Sequence, residues 1–221
     1  MLDSIILETS PHPDAAIIWL HGLGADGHDF ESIVPELNLP ETLRIRFIFP
    51  HAPSMPVTVN GGYVMPAWYD ISGGGVLAGE DEKGLRRSQQ QIIELIETEK
   101  KKGIPANRII LAGFSQGGAM TLFTGLRYPQ KLAGLLVLSG YLPLSEMLTA
   151  EMSETNAKTA IFMAHGKQDS VVPFDGARIS KEFLLKRGIP VEWHEYNMAH
   201  SLHPQEIRDI SIWLQSRLSN Y

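Results

Sequence analysis

Gly113-Phe114-Ser115-Gln116-Gly117 sets a serine between two glycines, each two positions away. Such a pentapeptide forms the sharp turn that lifts a nucleophilic hydroxyl clear of the backbone, provided a strand precedes it and a helix follows. The five residues alone arise by chance often enough that the flanks must decide. Upstream, residues 107–112 are a short apolar, β-branched run bounded by Gly103-Ile104-Pro105, the pattern of a buried parallel strand. Downstream, residues 116–127 keep helical spacing with Met120, Leu122, Phe123 and Leu126 as core candidates, and Tyr128-Pro129 ends the run. The glycines then have a steric purpose, because Gly113 and Gly117 remove Cβ atoms that would crowd a strained turn.

Working outward, residues 15–20 predict a strand that runs into His21-Gly22-Leu23-Gly24, with Phe30, Ile33, Val34 and Leu37 at helical spacing beyond it. Residues 44–49 predict the next strand, and residues 80–102 a long helix with Leu85, Ile92, Ile93 and Ile96 on one face. Further strands are expected at 133–138, 159–164 and 190–196, and helices at 174–186 and 204–218. This alternation predicts an α/β fold, a mostly parallel central sheet with helices on both faces. A length of 221 residues suits a single domain. Residues 50–79, with Gly61-Gly62 and Gly73-Gly74-Gly75, read as one long irregular stretch. Within it, Trp68 and Tyr69 either line a pocket or cap the core.

Composition removes several classes of function. The net charge is −6, and the one basic run, Lys100-Lys101-Lys102, sits where it favours a helix C-terminus, so nucleic acid is not an expected partner. The absence of cysteine excludes disulfides, thiolate metal ligands and a cysteine nucleophile. Residues 1–8 lack a basic leader, and no segment approaches the ~20 apolar residues of a membrane span, so a soluble cytoplasmic protein is expected.

In α/β sheets, ligands gather at the carboxyl ends of the strands. That rule selects the loop at Leu23, the turn at Ser115, the turn at Asp169 and the loop at His200. A serine hydroxyl needs a base, normally a histidine held by a buried carboxylate, and after this type of turn the chain order is serine, acid, histidine. Of the downstream histidines, His194 falls in a strand, His165 precedes the candidate acid and His203 opens the last helix, which leaves His200 as base. Asp169, directly after a strand, is the acid; its rival Asp175 sits in a first helical turn, where the helix dipole already favours a carboxylate. The oxyanion needs two fixed N–H donors, expected from the backbones of Gln116 and Leu23. A metal site on His200 and His203 lacks a third ligand, so neither metal nor cofactor is expected.

Several further stretches carry a resemblance: His21-Gly22-Leu23-Gly24-Ala25-Asp26, Pro50-His51-Ala52-Pro53, Met65-Pro66-Ala67-Trp68-Tyr69-Asp70-Ile71, the serine turn extended by Gly118-Ala119-Met120, His165-Gly166 with Asp169 and Val172-Pro173, and His200. Over nearly the whole chain, these are similar to the carboxylesterase and acyl-protein thioesterase, or lysophospholipase-like, branch of the α/β-hydrolases. The resemblance implies Ser115, Asp169 and His200 as the catalytic triad, Leu23 and Gln116 as the oxyanion hole, and a substrate-binding role for Trp68. Ala199 departs from it, since the family often has glycine before the histidine. Residues 140–158, all that separates two strands, are too few for a large cap, so the site should be open. An open site suits short or medium acyl esters and thioesters, lysophospholipids, or an acyl group carried by another protein. The oligomeric state is left open, a homodimer included. A serine peptidase would need an extra gating domain, and an intact Ser, Asp and His set speaks against a non-catalytic receptor.

Overall fold

The computed structural model describes residues 2–72 and 80–219. Among these, nine strands form: β1 (Ser4–Glu8), β2 (Ala15–Leu20), β3 (Ile45–Pro50), β4 (Ser54–Val57), β5 (Tyr63–Pro66), β6 (Ile109–Phe114), β7 (Gly134–Leu138), β8 (Ile161–Gly166) and β9 (Val191–Tyr196). Six α-helices accompany them: α1 (Ile33–Glu36), α2 (Glu82–Lys101), α3 (Gln116–Gly125), α4 (Ser145–Glu151), α5 (Phe174–Lys186) and α6 (Pro204–Leu218). Seven strands make one sheet in the order β1-β3-β2-β6-β7-β8-β9, parallel except for β1, which pairs antiparallel with β3.

The central strands are apolar throughout because both of their faces are covered. Every residue of β2 is buried, and its side chains divide by the period of two. Ala16, Ile18 and Leu20 enter a core with Leu85, Ile92 and Ile96 of α2, Met120 and Phe123 of α3, and Leu184 of α5. Ala15, Ile17 and Trp19 enter a second core with Ile33 of α1 and Ile210, Trp213 and Leu214 of α6. The four positions expected to anchor the helix after the serine, Met120, Leu122, Phe123 and Leu126, are all fully buried. Each contributes roughly 1.5–3 kcal/mol of transfer free energy. The edge strand β9 mixes polar and apolar residues and is mostly only partly buried or exposed, as an edge strand can be.

From β2 the chain first adds β3 on one side and later β6 on the other. The crevice at the carboxyl ends of β2 and β6 is therefore the topological switch point. Leu20 pairs in register with Gly113, so the chain leaves both strands side by side, at His21 and Ser115.

Three expectations change. The helix expected around Phe30 to Leu37 is a 3-10 turn at Gly27–Asp29 followed by the single turn α1, which ends at Glu36 and is followed by Asn38, with its φ of 44°, and Pro40. The stretch read as irregular contains the β4-β5 hairpin, whose prolines at 56 and 66 disguised it. Its run of three glycines, Gly73 to Gly75, lies outside the described residues. The strand before the serine is displaced by two residues, ending at Phe114. Lys100 and Lys102 do close α2, each bonded to a glutamate three residues back at 2.8 Å.

Candidate active site

β6 delivers the chain to Ser115, whose φ of 55° and ψ of −118° place it in a backbone region that L-residues avoid. The surroundings hold it there. Its N–H donates to the Leu138 carbonyl at 2.8 Å, and its own carbonyl accepts from Ala119 at 3.1 Å. A Cβ on Gly113 would lie 2.2 Å from the Gly117 carbonyl oxygen, and a Cβ on Gly117 would lie 2.2 Å from that of Leu20. The two glycines thus let β6 fold onto α3 and let α3 touch the end of β2.

The loop after β2 is pinned by the segment that carries Trp68. His21 is buried; its Nδ1–H donates to the Gly22 carbonyl at 2.7 Å and its Nε2 accepts from the Ala52 N–H at 3.0 Å, which fixes the tautomer. Burial pushes its pKa down, so the ring stays neutral. The Trp68 indole N–H donates to the His21 carbonyl at 2.9 Å, and the Gly24 N–H donates to the Pro66 carbonyl at 2.9 Å. Between these anchors lies Leu23. Among the described residues, neither the Leu23 nor the Gln116 backbone N–H donates to another group. Leu23, Ser115 and Gln116 line the same cavity.

The parallel pairing of β8 with β9 continues into the loops that follow. Lys167 N–H donates to the Tyr196 carbonyl at 2.9 Å and Gln168 N–H to that of Met198 at 3.1 Å. A Cβ on Gly166 would lie 2.4 Å from the carbonyl oxygens of both Met198 and Ala199, so glycine is what allows the loop of Asp169 to rest on the loop of His200. The Asp169 side chain is fully buried. Its Oδ1 accepts from the N–H groups of Val171 and Val172, both at 2.9 Å, and its Oδ2 accepts from His200 Nδ1 at 2.7 Å. It is at once a turn-former and the partner of a histidine. The His200 ring packs on Phe114, with centroids 4.7 Å apart, beside Ser115.

The rival residues lie elsewhere in the network. Asp175 is an exposed partner of Arg178 at 3.1 Å in the first turn of α5. His194 pairs with Glu192 at 2.9 Å, and His203 caps α6. Ala199 is exposed and needs no left-handed backbone, so its methyl group is accommodated where the family often has glycine.

Two depressions flank the crevice. A cavity of about 460 Å³, mostly apolar, is lined by Leu23, Ile71, Ser115, Gln116, Val171 and Val172 among others. An open groove of about 510 Å³ has Phe30, Ile33, Phe114 and His200 in its walls. Trp68 is fully buried and lies in the wall of neither. Its place is behind the cavity, where it holds His21, and Tyr69 beside it reaches the cavity instead. Reading the sequence also missed the Gln116 side chain, which accepts from Trp68 N–H and donates to the Tyr69 carbonyl, both at 2.8 Å. The paired hydroxyls of Tyr69 and Tyr141, 2.7 Å apart in the cavity wall, were missed as well. Burial pushes both phenols above their usual range. The adjacent aromatics at 68 and 69 hinted at the first of this pair; nothing in the sequence marks Tyr141.

A strained serine at the switch point of a parallel sheet, with helices on both faces, defines an α/β-hydrolase. The profile of the phospholipase/carboxylesterase family matches residues 2–218. Acyl-protein thioesterase 1 of Neurospora crassa is 43% identical over 214 residues, covering 92% of this chain and 87% of that protein. The protein of the same name from Yarrowia lipolytica is 39% identical over 209 residues, covering 92% of each. The crystal structure of Zea mays acyl-protein thioesterase 2 superposes with a TM-score of 0.87 at 28% identity, covering 99% of this chain and all of that one. The chain belongs to the phospholipase/carboxylesterase family of α/β-hydrolases, and it is a carboxylic ester hydrolase.

Proposed function

We propose that Ser115, His200 and Asp169 form the catalytic triad of a serine hydrolase that cleaves esters and thioesters of short to medium acyl chains. The carrying observation is the pair of backbone N–H groups, Leu23 and Gln116, that donate to nothing among the described residues and flank Ser115 in one cavity. Ser115 Oγ attacks the acyl carbonyl and gives its proton to His200 Nε2. The two N–H groups hold the oxyanion, and Asp169 Oδ2 stabilises the imidazolium through Nδ1–H. The tetrahedral intermediate then expels the alcohol or thiol, which takes the proton from His200. Water, deprotonated by the same histidine, releases the acid from Ser115.

The physiological substrate in this reading is an acylated protein, a choice supported by relatives that bear the name acyl-protein thioesterase. Lysophospholipids are the second candidate class. The reading takes residues 1–221 as one domain, allows a homodimer, and places the protein in the cytoplasm, consistent with a chain free of cysteine. Ser115→Ala is the test. Hydrolysis of p-nitrophenyl butyrate should fall to background and labelling by a fluorophosphonate should vanish; wild-type turnover in this variant refutes the assignment.

A further inference from the structure

His165 ends β8, is fully buried, and has no place in the mechanism above. Its Nε2 lies 2.8 Å from the Val172 carbonyl oxygen and 3.3 Å from Asp169 Oδ2. Both neighbours are acceptors, so Nε2 must carry the hydrogen. In a neutral ring, Nδ1 is then left with a bare lone pair, and that atom is buried with no partner. The ring stacks on Trp193 at 6.5 Å and meets the edge of Phe174 at 6.0 Å, an apolar slot. A leucine or methionine would fill such a slot without stranding a nitrogen, so packing alone does not account for histidine here.

The N–H on the other side of the ring does. It closes the loop from 166 to 172 by reaching across to Val172, a residue that also walls the cavity beside Ser115. Its nitrogen also lies 3.3 Å from the carboxylate oxygen that receives His200, an electrostatic contact beside the hydrogen bond to Val172. Asp169 Oδ1 is held by two backbone N–H groups, while Oδ2 accepts from His200 at 2.7 Å and has His165 Nε2 3.3 Å away on its other side. Burial lowers the pKa of His165 and keeps the ring uncharged, so it supplies a dipole without adding a positive charge beside His200.

We propose that His165 is a positioning residue: by holding the Val172 carbonyl and setting the positive end of its Nε2–H dipole beside Oδ2, it steadies the Asp169 carboxylate and moderates its pull on the His200 proton. This rests on the triad reading above. Removing the donor concentrates negative charge on Oδ2, which favours the imidazolium of His200. The acid limb of activity then moves to higher pH. The titratable groups facing His200 are Asp169 and His165 from the acid side and Asp29 and Glu36 across the open groove. Of these groups the substitution removes only His165.

The test compares His165→Leu, His165→Gln and His165→Asn with wild type in the pH profile of kcat/KM on p-nitrophenyl butyrate, with thermal melts alongside. The glutamine amide nitrogen reaches the place of Nε2; the asparagine nitrogen falls one bond short. His165→Leu should lose on the order of tenfold in kcat, with its acid limb displaced upward by about half a pH unit or more. His165→Gln should return the limb to the wild-type position. If leucine prevents folding, glutamine against asparagine carries the same contrast. Acid limbs that coincide in all variants, or a glutamine variant no nearer to wild type than leucine or asparagine, overturn the proposal. A failed triad reading would look different, because Ser115→Ala would then retain activity whatever stands at 165.

Discussion

Gln116 holds Trp68 by its backbone: the glutamine Oε1 accepts the Trp68 N–H at 2.8 Å, and its Nε2 returns a hydrogen bond to the neighbouring Tyr69 carbonyl. The residue after Ser115 therefore ties the serine turn to the segment that supports the loop of Leu23. Both bonds are buried, so Gln116→Leu strands a donor and an acceptor. That should destabilise the fold by roughly 2–4 kcal/mol. Turnover should fall further than folding explains, since Trp68 in turn anchors His21. Urea denaturation and kcat on one preparation would check this, and unchanged stability contradicts it.

Gly117 is required by close approach. Its ideal Cβ would lie 2.2 Å from the Leu20 carbonyl oxygen and 2.7 Å from that of His21, both backbone atoms that cannot step aside. Gly117→Ala should cost about 3 kcal/mol and push α3 away from the end of β2. Because the displaced atoms lead directly into Leu23, kcat for esters should drop by ~10²-fold or more, the scale of a lost oxyanion donor. A variant of full activity would show that this contact is softer than its geometry.

How far the sequence could be read depended on whether a signal was local. The bounds of α5 and α6 follow from helical spacing and those of β2 from an unbroken apolar run, and Ser115, Asp169 and His200 from their places after strands. The hydrogen bond from His200 to Asp169 then joins two of them across 31 positions. Contacts with no local signature stayed hidden. Trp68 could line a pocket or cap the core on its sequence alone, and only the fold shows its indole donating to the His21 carbonyl behind the cavity. The Gln116 amide and the hydroxyl of Tyr141 acquire meaning only from partners 47 to 72 positions away. The β4-β5 hairpin was masked by prolines that disrupt alternation while sitting harmlessly in a two-stranded ribbon.

The apolar cavity predicts how rate depends on chain length. Each methylene buried contributes about 0.8 kcal/mol, so kcat/KM should rise roughly three- to fourfold per added carbon until the space beside Ser115 is filled. Val171 lines that cavity and is 61% exposed, so it can be enlarged without disturbing the core. Val171→Trp should leave acetate hydrolysis near wild type and lower kcat/KM for the longer chains. A panel of p-nitrophenyl esters from acetate to decanoate measures both slopes; identical slopes would place the acyl chain elsewhere.

Stability should depend on pH through Glu206. Its side chain is fully buried at the start of α6, with Oε2 accepting the His203 N–H at 3.1 Å and Oε1 without a partner. Burial, aided by the nearby Asp209 charge, pushes its pKa up to about 8. In the unfolded chain a glutamate titrates near ~4.3. Between those values the folded protein keeps a proton that the unfolded chain has released, so stability declines as pH rises through this window and levels off above it. Glu206→Gln preserves an acceptor for His203 and cannot ionise. The variant should match wild type near pH 5 and exceed it by roughly 1–3 kcal/mol at pH 9, with activity on p-nitrophenyl butyrate unaltered at neutral pH. Urea denaturation from pH 5 to 9 reads the difference between the two curves. A constant offset at every pH would mean that Glu206 titrates alike in the folded and unfolded chains.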